Sequence, residues 1–356
     1  MQFLRTTFMS AYRSRIYPNY WDLIALLFVL SLIMLLAFNA KQMTTPYQLG
    51  QLIPISLDPS NLPFYAAQTV IRMLIAMIIS LLFTFIFGTW AAKSARAGKI
   101  IIPIIDVLQS VPILGYLSVA ITAFISLFPN SLLGPECAAI FVIFTSQAWN
   151  MALGFYQTVR SVPGEVKEAA RMFHLSAWQS FWRIDVPFSM PGLLWNSMAS
   201  MSAGWFFVVA SEAITVSNQQ ILLPGIGSYI AVAIQNADLK AITYAVFAMF
   251  LVILIYDQLL FRPLVAWAEK FKSERESSGS ERDAESWVVD LFRRTRLMRS
   301  IGKRFAILFN LFVNIRWPSL PRVSNKNIKE KIQHEHRMVF IWNVILFLIA
   351  ANAFYF

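Results

Sequence analysis

The stretch 168-EAARMFHLSAWQSFWRIDVP-187 separates two long apolar stretches and is the part of the sequence that decides the fold. Its residues predict a short helix, a turn and a second short helix that ends at Pro187. A loop without regular structure would not be expected to show this helix–turn–helix pattern. A compact helical loop at a membrane surface is suited to contact with a soluble protein, so the segment predicts a membrane protein with a structured loop.

Apolar stretches recur on both sides of this segment. Hydrophobic residues make up 57% of the 356, and the mean hydropathy is +0.57, too apolar for an ordinary soluble domain. A spanning helix needs about 20 mostly apolar residues, and lipid offers the backbone no hydrogen-bond partners, so runs of this length are helices. The predicted spans are 22–40, 66–92, 101–127, 136–157, 188–212, 241–261 and 338–356. The chain is therefore predicted to be an all-α integral membrane protein, a polytopic helix bundle.

Positive charge is confined to alternate loops and predicts the orientation. The loops on one side contain Arg5, Arg13, Arg15, Lys93, Arg96, Lys99, Arg160, Lys167, Arg171, Arg183 and Arg262. The loops on the other side contain only Lys41 and Lys240. By the positive-inside rule, the N-terminus and the segment 168–187 face the cytoplasm. The net charge of +11 follows from this bias and does not indicate nucleic-acid binding. The stretch 22–40 lacks a clear cleavage site and is interpreted as a retained anchor.

The spacing within 168–187 resembles the EAA loop of the permease subunits of binding-protein-dependent ABC importers. That family's pattern is Glu-Ala-Ala, three residues, Gly, nine residues and Ile-x-Leu-Pro. The matching positions are Glu168, Ala169, Ala170, His174, Ile184, Val186 and Pro187, with histidine in place of the glycine and valine in place of the leucine. The resemblance implies that this EAA-like loop, about residues 159–187, is a coupling helix that docks on a nucleotide-binding subunit. The ordinary alternative is an amphipathic connector.

No phosphate-binding loop occurs in the chain. Gly98-Lys99 and Gly302-Lys303 lack the upstream glycine and the following Ser or Thr of such a loop. ATP hydrolysis is therefore expected in a partner ATPase that binds ATP and Mg²⁺, with no cofactor in this chain. No nucleophile is paired with a base, and the single cysteine, Cys137, cannot build a metal site alone. We expect a transporter subunit with no catalytic residue and no metal.

The second to sixth spans resemble the five-helix core of a type 1 ABC permease. The resemblance implies a permease transmembrane domain at 64–265, with flanking spans outside it. The sequence predicts a cytoplasmic lead-in, first span and outer loop at 1–63, and a basic cytoplasmic linker at 266–337. The remaining span, 338–356, ends without a polar exit and is interpreted as the truncated start of a second fused unit.

The linker contains an amphipathic stretch at 287–315. Apolar residues alternate there with basic ones in a pattern typical of a helix. Two interpretations stay open: an interfacial helix on the anionic cytoplasmic leaflet, or a helix packed on neighbouring protein.

Polar residues within the spans are the candidates for a pathway or a gate, since charges in lipid are costly and should face the interior of the bundle. They are Asp106, Gln109, Ser202 and Glu212. Pro112 and Gly115 follow Asp106 and Gln109 and suggest a broken helix that lines a cavity. For Glu212 a structural hydrogen-bond anchor is an equal alternative. Arg72 is expected to form a salt bridge to a neighbouring helix.

The resemblance implies a permease subunit of an ATP-driven importer in the bacterial inner membrane. Its implied partners are ABC ATPase subunits, a second permease unit (fused or separate), an extracytoplasmic solute-binding protein and the lipid bilayer. Trp205-Phe206-Phe207, Glu212 and Leu223 to Gly227 resemble the nitrate, sulfonate and taurine branch, which implies a small anion as the solute. The main alternative is a scaffold or sensor that docks an ATPase-like partner and moves no solute. A proton-coupled carrier would not need the EAA-like loop.

Overall fold

The computed structural model describes residues 45–47, 53–216, 219–268 and 296–315, with isolated residues between 20 and 37. The predicted spans 22–40 and 338–356 lie outside the continuous described ranges. After a 3₁₀ turn at Pro59–Asn61, the elements are α1 Leu62–Phe83, α2 Thr89–Lys93, α3 Ala95–Ser110, α4 Ile113–Leu127, α5 Leu133–Ser161, α6 Gly164–Met172, α7 Ala177–Ser180, α8 Val186–Glu212, β1 Ala213–Val216, β2 Gln219–Leu222, α9 Ile226–Gln235, α10 Leu239–Tyr256, α11 Arg262–Ala268 and α12 Arg296–Val313.

Four helical runs in the described part of the chain are long and apolar enough to cross a membrane. They are run A Pro59–Lys93, run B Leu133–Ser161, run C Ala177–Glu212 and run D Leu239–Ala268. Single π-helical turns at Thr84–Gly88, Phe181–Asp185 and Asp257–Phe261 join the shorter helices within runs A, C and D. These runs confirm the all-α membrane fold and the predicted spans at 66–92, 136–157, 188–212 and 241–261.

The predicted single span at 101–127 is wrong. The structure divides it into α3 and α4, which are separated by Val111 and Pro112. Proline has no N–H to donate and disfavours helical backbone in the residue before it. Val111 is accordingly extended, with φ −73° and ψ 125°. The break predicted from Pro112 is present, so this part of the chain is a pair of helices.

A β-hairpin and a short helix connect runs C and D. Strands β1 and β2 pair in antiparallel fashion, with Ala213 opposite Leu222 and Val216 opposite Gln219. Helix α9 begins directly after Leu223-Pro224-Gly225. Sequence reasoning did not predict the hairpin.

Runs B and C form the centre of the bundle, and α1 packs against them. Their contact is close because small residues lie where the helices meet: a Cβ on Gly154 would overlap the Asn196 side chain, and one on Gly204 would overlap Gln147. Met73, Ile143 and Phe155 fill the core between the helices, and each is fully buried. Run C has the EAA-like loop at one end and Glu212 at the other.

Candidate functional site

Helix α6 forms the first half of the EAA-like loop. It begins at Gly164 after Pro163, and Glu165 is the acidic residue of its first turn. Glu168 therefore lies in the middle of this nine-residue helix and is exposed. Ala170 is buried on the opposite side, so α6 packs through its small side chains and exposes its charged ones.

A left-handed residue ends α6. His174 has φ +50°, the conformation that glycine adopts most readily. The Leu175 N–H donates to the Ala170 carbonyl and the His174 N–H to the Arg171 carbonyl, each at 3.0 Å. These two bonds have the pattern of a Schellman cap. The turn deduced from the family glycine therefore exists, and it is formed with a histidine.

The second half of the loop is continuous with the following span. Ser176 and Gln179 form a reciprocal capping box that starts α7. The prediction that a second short helix ends at Pro187 is wrong, because run C extends from Ala177 to Glu212 without a break. Pro187 follows the π-helical turn Phe181–Asp185 after Val186, and this wider turn accommodates a residue that has no N–H. Ile184 lies within the same turn.

Two large apolar side chains protrude at the C-terminal end of α6. Met172 and Phe173 are each 78% exposed, beside the exposed His174. Sequence reasoning missed them. Their exposure could have been predicted from their position directly before His174, because side chains next to a tight turn often project outward. We refer to Met172, Phe173 and His174 as the α6 tip.

An aromatic cluster and an ion pair hold the loop against the bundle. The Phe181 ring packs edge-on against Phe85 and Trp182, with centroids 5.9 and 5.0 Å apart. The Lys93 ammonium lies 2.5 Å from the buried Asp185 carboxylate and 5.8 Å from the centre of the Phe181 ring. The end of run A is thus fixed to the start of run C, and the loop has a rigid base.

A buried ion cluster lies at the opposite end of runs B and C. Arg72 is fully buried and binds Glu136 through two parallel hydrogen bonds of 2.6 Å. Its Nη1 donates to Glu212 at 2.7 Å and to the Pro224 carbonyl at 2.9 Å. The salt bridge expected for Arg72 is therefore present, with two acidic partners from two different helices. Sequence reasoning missed Glu136, which lies only three residues inside run B.

Glu212 also binds the connection to run D. The Thr69 hydroxyl donates to one of its carboxylate oxygens at 2.7 Å, and the Gly227 N–H donates to the other at 2.6 Å. The Ser228 hydroxyl donates to the Glu212 carbonyl at 2.6 Å. These contacts tie the start of α9 to the end of run C. Of the two interpretations of Glu212, these contacts favour the structural hydrogen-bond anchor.

The other pathway candidates lie apart from Glu212. Asp106 and Gln109 are exposed on α3 and hydrogen-bond each other at 3.2 Å. Ser202 is exposed on α8, whereas Ser200 is buried and accepts a hydrogen bond of 2.9 Å from Asn150. Of these two serines of run C, Ser200 is thus packed on run B and Ser202 is exposed.

The fold and this loop define a polytopic helical membrane protein with a structured connection between two spans. Residues 84–261, half of the chain, match the family described as "Binding-protein-dependent transport system inner membrane component". The chain belongs to this family, and its membership confirms the ABC permease fold predicted from the sequence.

Individual relatives are similar over part of their length. The chain is 27% identical to a nitrate import permease protein, NrtB, of Leptolyngbya laminosa, over 44% of this chain and 52% of the relative. It is 27% identical to a glycine betaine/carnitine transport permease protein, GbuB, of Listeria monocytogenes, over 60% and 70%. It is 23% identical to a bicarbonate transport system permease protein, CmpB, of Synechococcus elongatus, over 52% and 60%. The chain thus spans about half the length of the nitrate permease that it matches.

One solved structure, an inward-facing conformation of the MetNI methionine ABC transporter, has 16% sequence identity and a TM-score of 0.43. It covers 57% of this chain and 94% of that one.

The left-handed His174 makes a first prediction. A non-glycine residue in this conformation costs roughly 1–2 kcal/mol, so His174→Gly should stabilise the protein by about 1 kcal/mol after the greater freedom of glycine in the unfolded chain is counted. Thermal unfolding in detergent measures the change. His174→Ala keeps the Cβ and should leave the stability within about 0.5 kcal/mol. Equal stabilisation by both variants would show that the backbone angle is not the cause.

The ion cluster makes a second prediction. Arg72→Met leaves two buried carboxylates without their cation, and breaking such a pair costs roughly 3–5 kcal/mol. The matched control is Arg262→Met, because Arg262 lies 3.6 Å from Asp257 with about half of its side chain exposed. Such a surface pair contributes only about 0–1 kcal/mol. Similar unfolding temperatures for the two variants would contradict a structural role for the cluster.

Proposed function

We propose that this chain is the permease subunit of an ATP-driven importer and that the α6 tip docks on an ABC ATPase. The observation that carries the proposal is the exposure of Met172 and Phe173 at the end of a capped, well-supported helix. Large apolar side chains exposed next to each other are typical of protein contacts, and aromatic residues are frequent energetic centres of interfaces. The family membership supports a partner of this kind.

Run C gives the loop a mechanical connection across the membrane. It comprises 36 residues from Ala177 to Glu212, with the loop at its first end and the ion cluster at its second. A helix of this length is about 54 Å long. A displacement of the loop during ATP hydrolysis would therefore reach the opposite end of the bundle. We propose this helix as the coupling element of alternating access.

The proposed orientation places the N-terminus and the α6 tip in the cytoplasm of a bacterium, with the chain in the inner membrane. The basic residues of the EAA-like loop support it through the positive-inside rule. The ion cluster then faces the outside, where an extracytoplasmic solute-binding protein would deliver the solute. A second permease unit, fused or separate, would complete the pathway, and the partner ATPase would hold ATP and Mg²⁺. The exposed Asp106, Gln109 and Ser202 are proposed to line the pathway between the two units.

The solute is proposed to be a small anion. Two of the relatives are named for nitrate and bicarbonate, and a third for glycine betaine and carnitine. The resemblance of the segment from Leu223 to Gly227 to the nitrate, sulfonate and taurine branch supports the anion. Uptake of labelled glycine betaine, but of neither nitrate nor bicarbonate nor an organosulfonate, by cells that express the whole system would contradict this proposal.

The docking proposal predicts that Phe173→Glu abolishes co-purification with an ABC ATPase that the unchanged chain binds. A charge placed in an apolar contact should weaken binding roughly tenfold or more. The matched control is Leu239→Glu. Leu239 is 77% exposed, as Phe173 is, but begins run D at the opposite end of the bundle. The control should keep the complex.

Glu168→Arg tests the same surface through charge and should also weaken the complex. If neither variant weakens a complex that the unchanged chain forms, the ATPase docks elsewhere. If the well-folded chain forms no complex at all, the permease proposal is wrong. If a complex forms and ATP drives no uptake, the alternative of a scaffold or sensor is favoured.

A further inference from the structure

Helix α12 is attached to the base of the EAA-like loop at its C-terminal end. The Phe312 ring packs edge-on against Trp178 and the Phe309 ring against Trp182, with centroids 5.1 and 5.5 Å apart. Trp178 Nε1 donates to the Phe312 carbonyl at 3.1 Å, and Val313 is buried.

A polar contact completes this attachment. Arg183 Nη2 donates to Asn314 Oδ1 at 2.7 Å. Rings, main chain and side chains thus hold α12 against the first turns of run C. These contacts fix the position of the C-terminal end of α12 on run C.

Most of the apolar surface of α12 is left uncovered by the bundle. Phe305, Ile307, Leu308 and Leu311 are each between 61% and 69% exposed. Four large apolar side chains on two consecutive turns form a patch that water would not stabilise. Within the described part of the chain nothing covers this patch, so lipid or further protein is needed to cover it.

The charges around this patch favour a lipid surface. Lys303 and Arg304 are exposed directly before Phe305, and Arg296 and Arg299 precede them in the same helix. The stretch 296–315 contains no acidic residue. A basic, amphipathic helix with exposed aromatic residues is typical of helices that lie in the headgroup layer of anionic membranes.

The position of α12 places it at that layer. Its partners Trp178 and Trp182 lie in the first turns of run C, which is long and apolar enough to cross the membrane. Tryptophan is enriched where a span meets the membrane–water interface. A helix packed on these two rings is therefore at interfacial depth, beside the lipid headgroups.

We propose that α12 lies in the headgroup layer of an anionic leaflet and holds the base of the EAA-like loop at the membrane surface. Lys303 and Arg304 bind lipid phosphates, while Phe305 and Leu308 insert among the acyl chains. The interaction does not depend on which protein docks at the α6 tip, so the proposal can be tested without the ATPase.

The test attaches a label to an introduced cysteine, so the single native cysteine, Cys137, is first replaced. In a Cys137→Ser background, a nitroxide is attached to Leu308→Cys or, as the matched control, to Asn310→Cys. Both positions are exposed on α12, and two residues along a helix lie on nearly opposite faces. The whole chain is placed in nanodiscs of phosphatidylglycerol or of phosphatidylcholine. The accessibility of the label to oxygen and to a water-soluble nickel chelate is then measured by electron paramagnetic resonance.

In phosphatidylglycerol, the ratio of oxygen to chelate accessibility at position 308 should be several times the ratio at position 310. The ratio at 308 should fall in phosphatidylcholine, and in phosphatidylglycerol when Lys303→Glu and Arg304→Glu are combined. High chelate accessibility at 308 in phosphatidylglycerol would place the patch in water and overturn the proposal. Low accessibility to both reagents at 308 would show that protein covers the patch, and would overturn it as well.

Discussion

The Arg72 guanidinium, held by Glu136 and Glu212 in the interior of the bundle, is the interaction on which the rest of the structure depends. Three helical runs each contribute one member, and none of the three side chains is accessible to water. One cation facing two carboxylates would be unfavourable in lipid without further donors, which Thr69 and the Gly227 main chain supply. The connection to run D is thereby included in the same network.

This network and the EAA-like loop lie at the two ends of run C. At one end the helix begins beside the aromatic cluster and the Lys93–Asp185 pair, and at the other it ends in Glu212. Both ends of run C are therefore fixed to neighbouring helices. The α6 tip projects from the loop end with no contact that would occupy it within the described residues. A partner that moved this tip would act on a helix that reaches the opposite end of the bundle.

Much of this arrangement was predictable from the sequence. Hydropathy identifies runs A to D because lipid imposes a minimum length on apolar helices, and the family spacing locates the turn at His174. The break was expected from Pro112, whereas hydropathy alone indicated one continuous span at 101–127, because hydropathy does not register a missing N–H. The partnership of Arg72 with Glu136 was missed because residues 64 positions apart give no local signal. The helix end predicted at Pro187 was wrong because the π-helical turn that accommodates this proline cannot be predicted from the composition.

The central claim is that the α6 tip contacts an ABC ATPase, and site-specific photocross-linking tests it most directly. A benzophenone amino acid replaces Phe173 in one variant and Leu239 in another, in cells that also express the ATPase encoded beside this chain. We predict a cross-linked product with the ATPase from position 173 and none from position 239. The same intensity from both positions, or no product from position 173 in a complex that purifies intact, would contradict the claim.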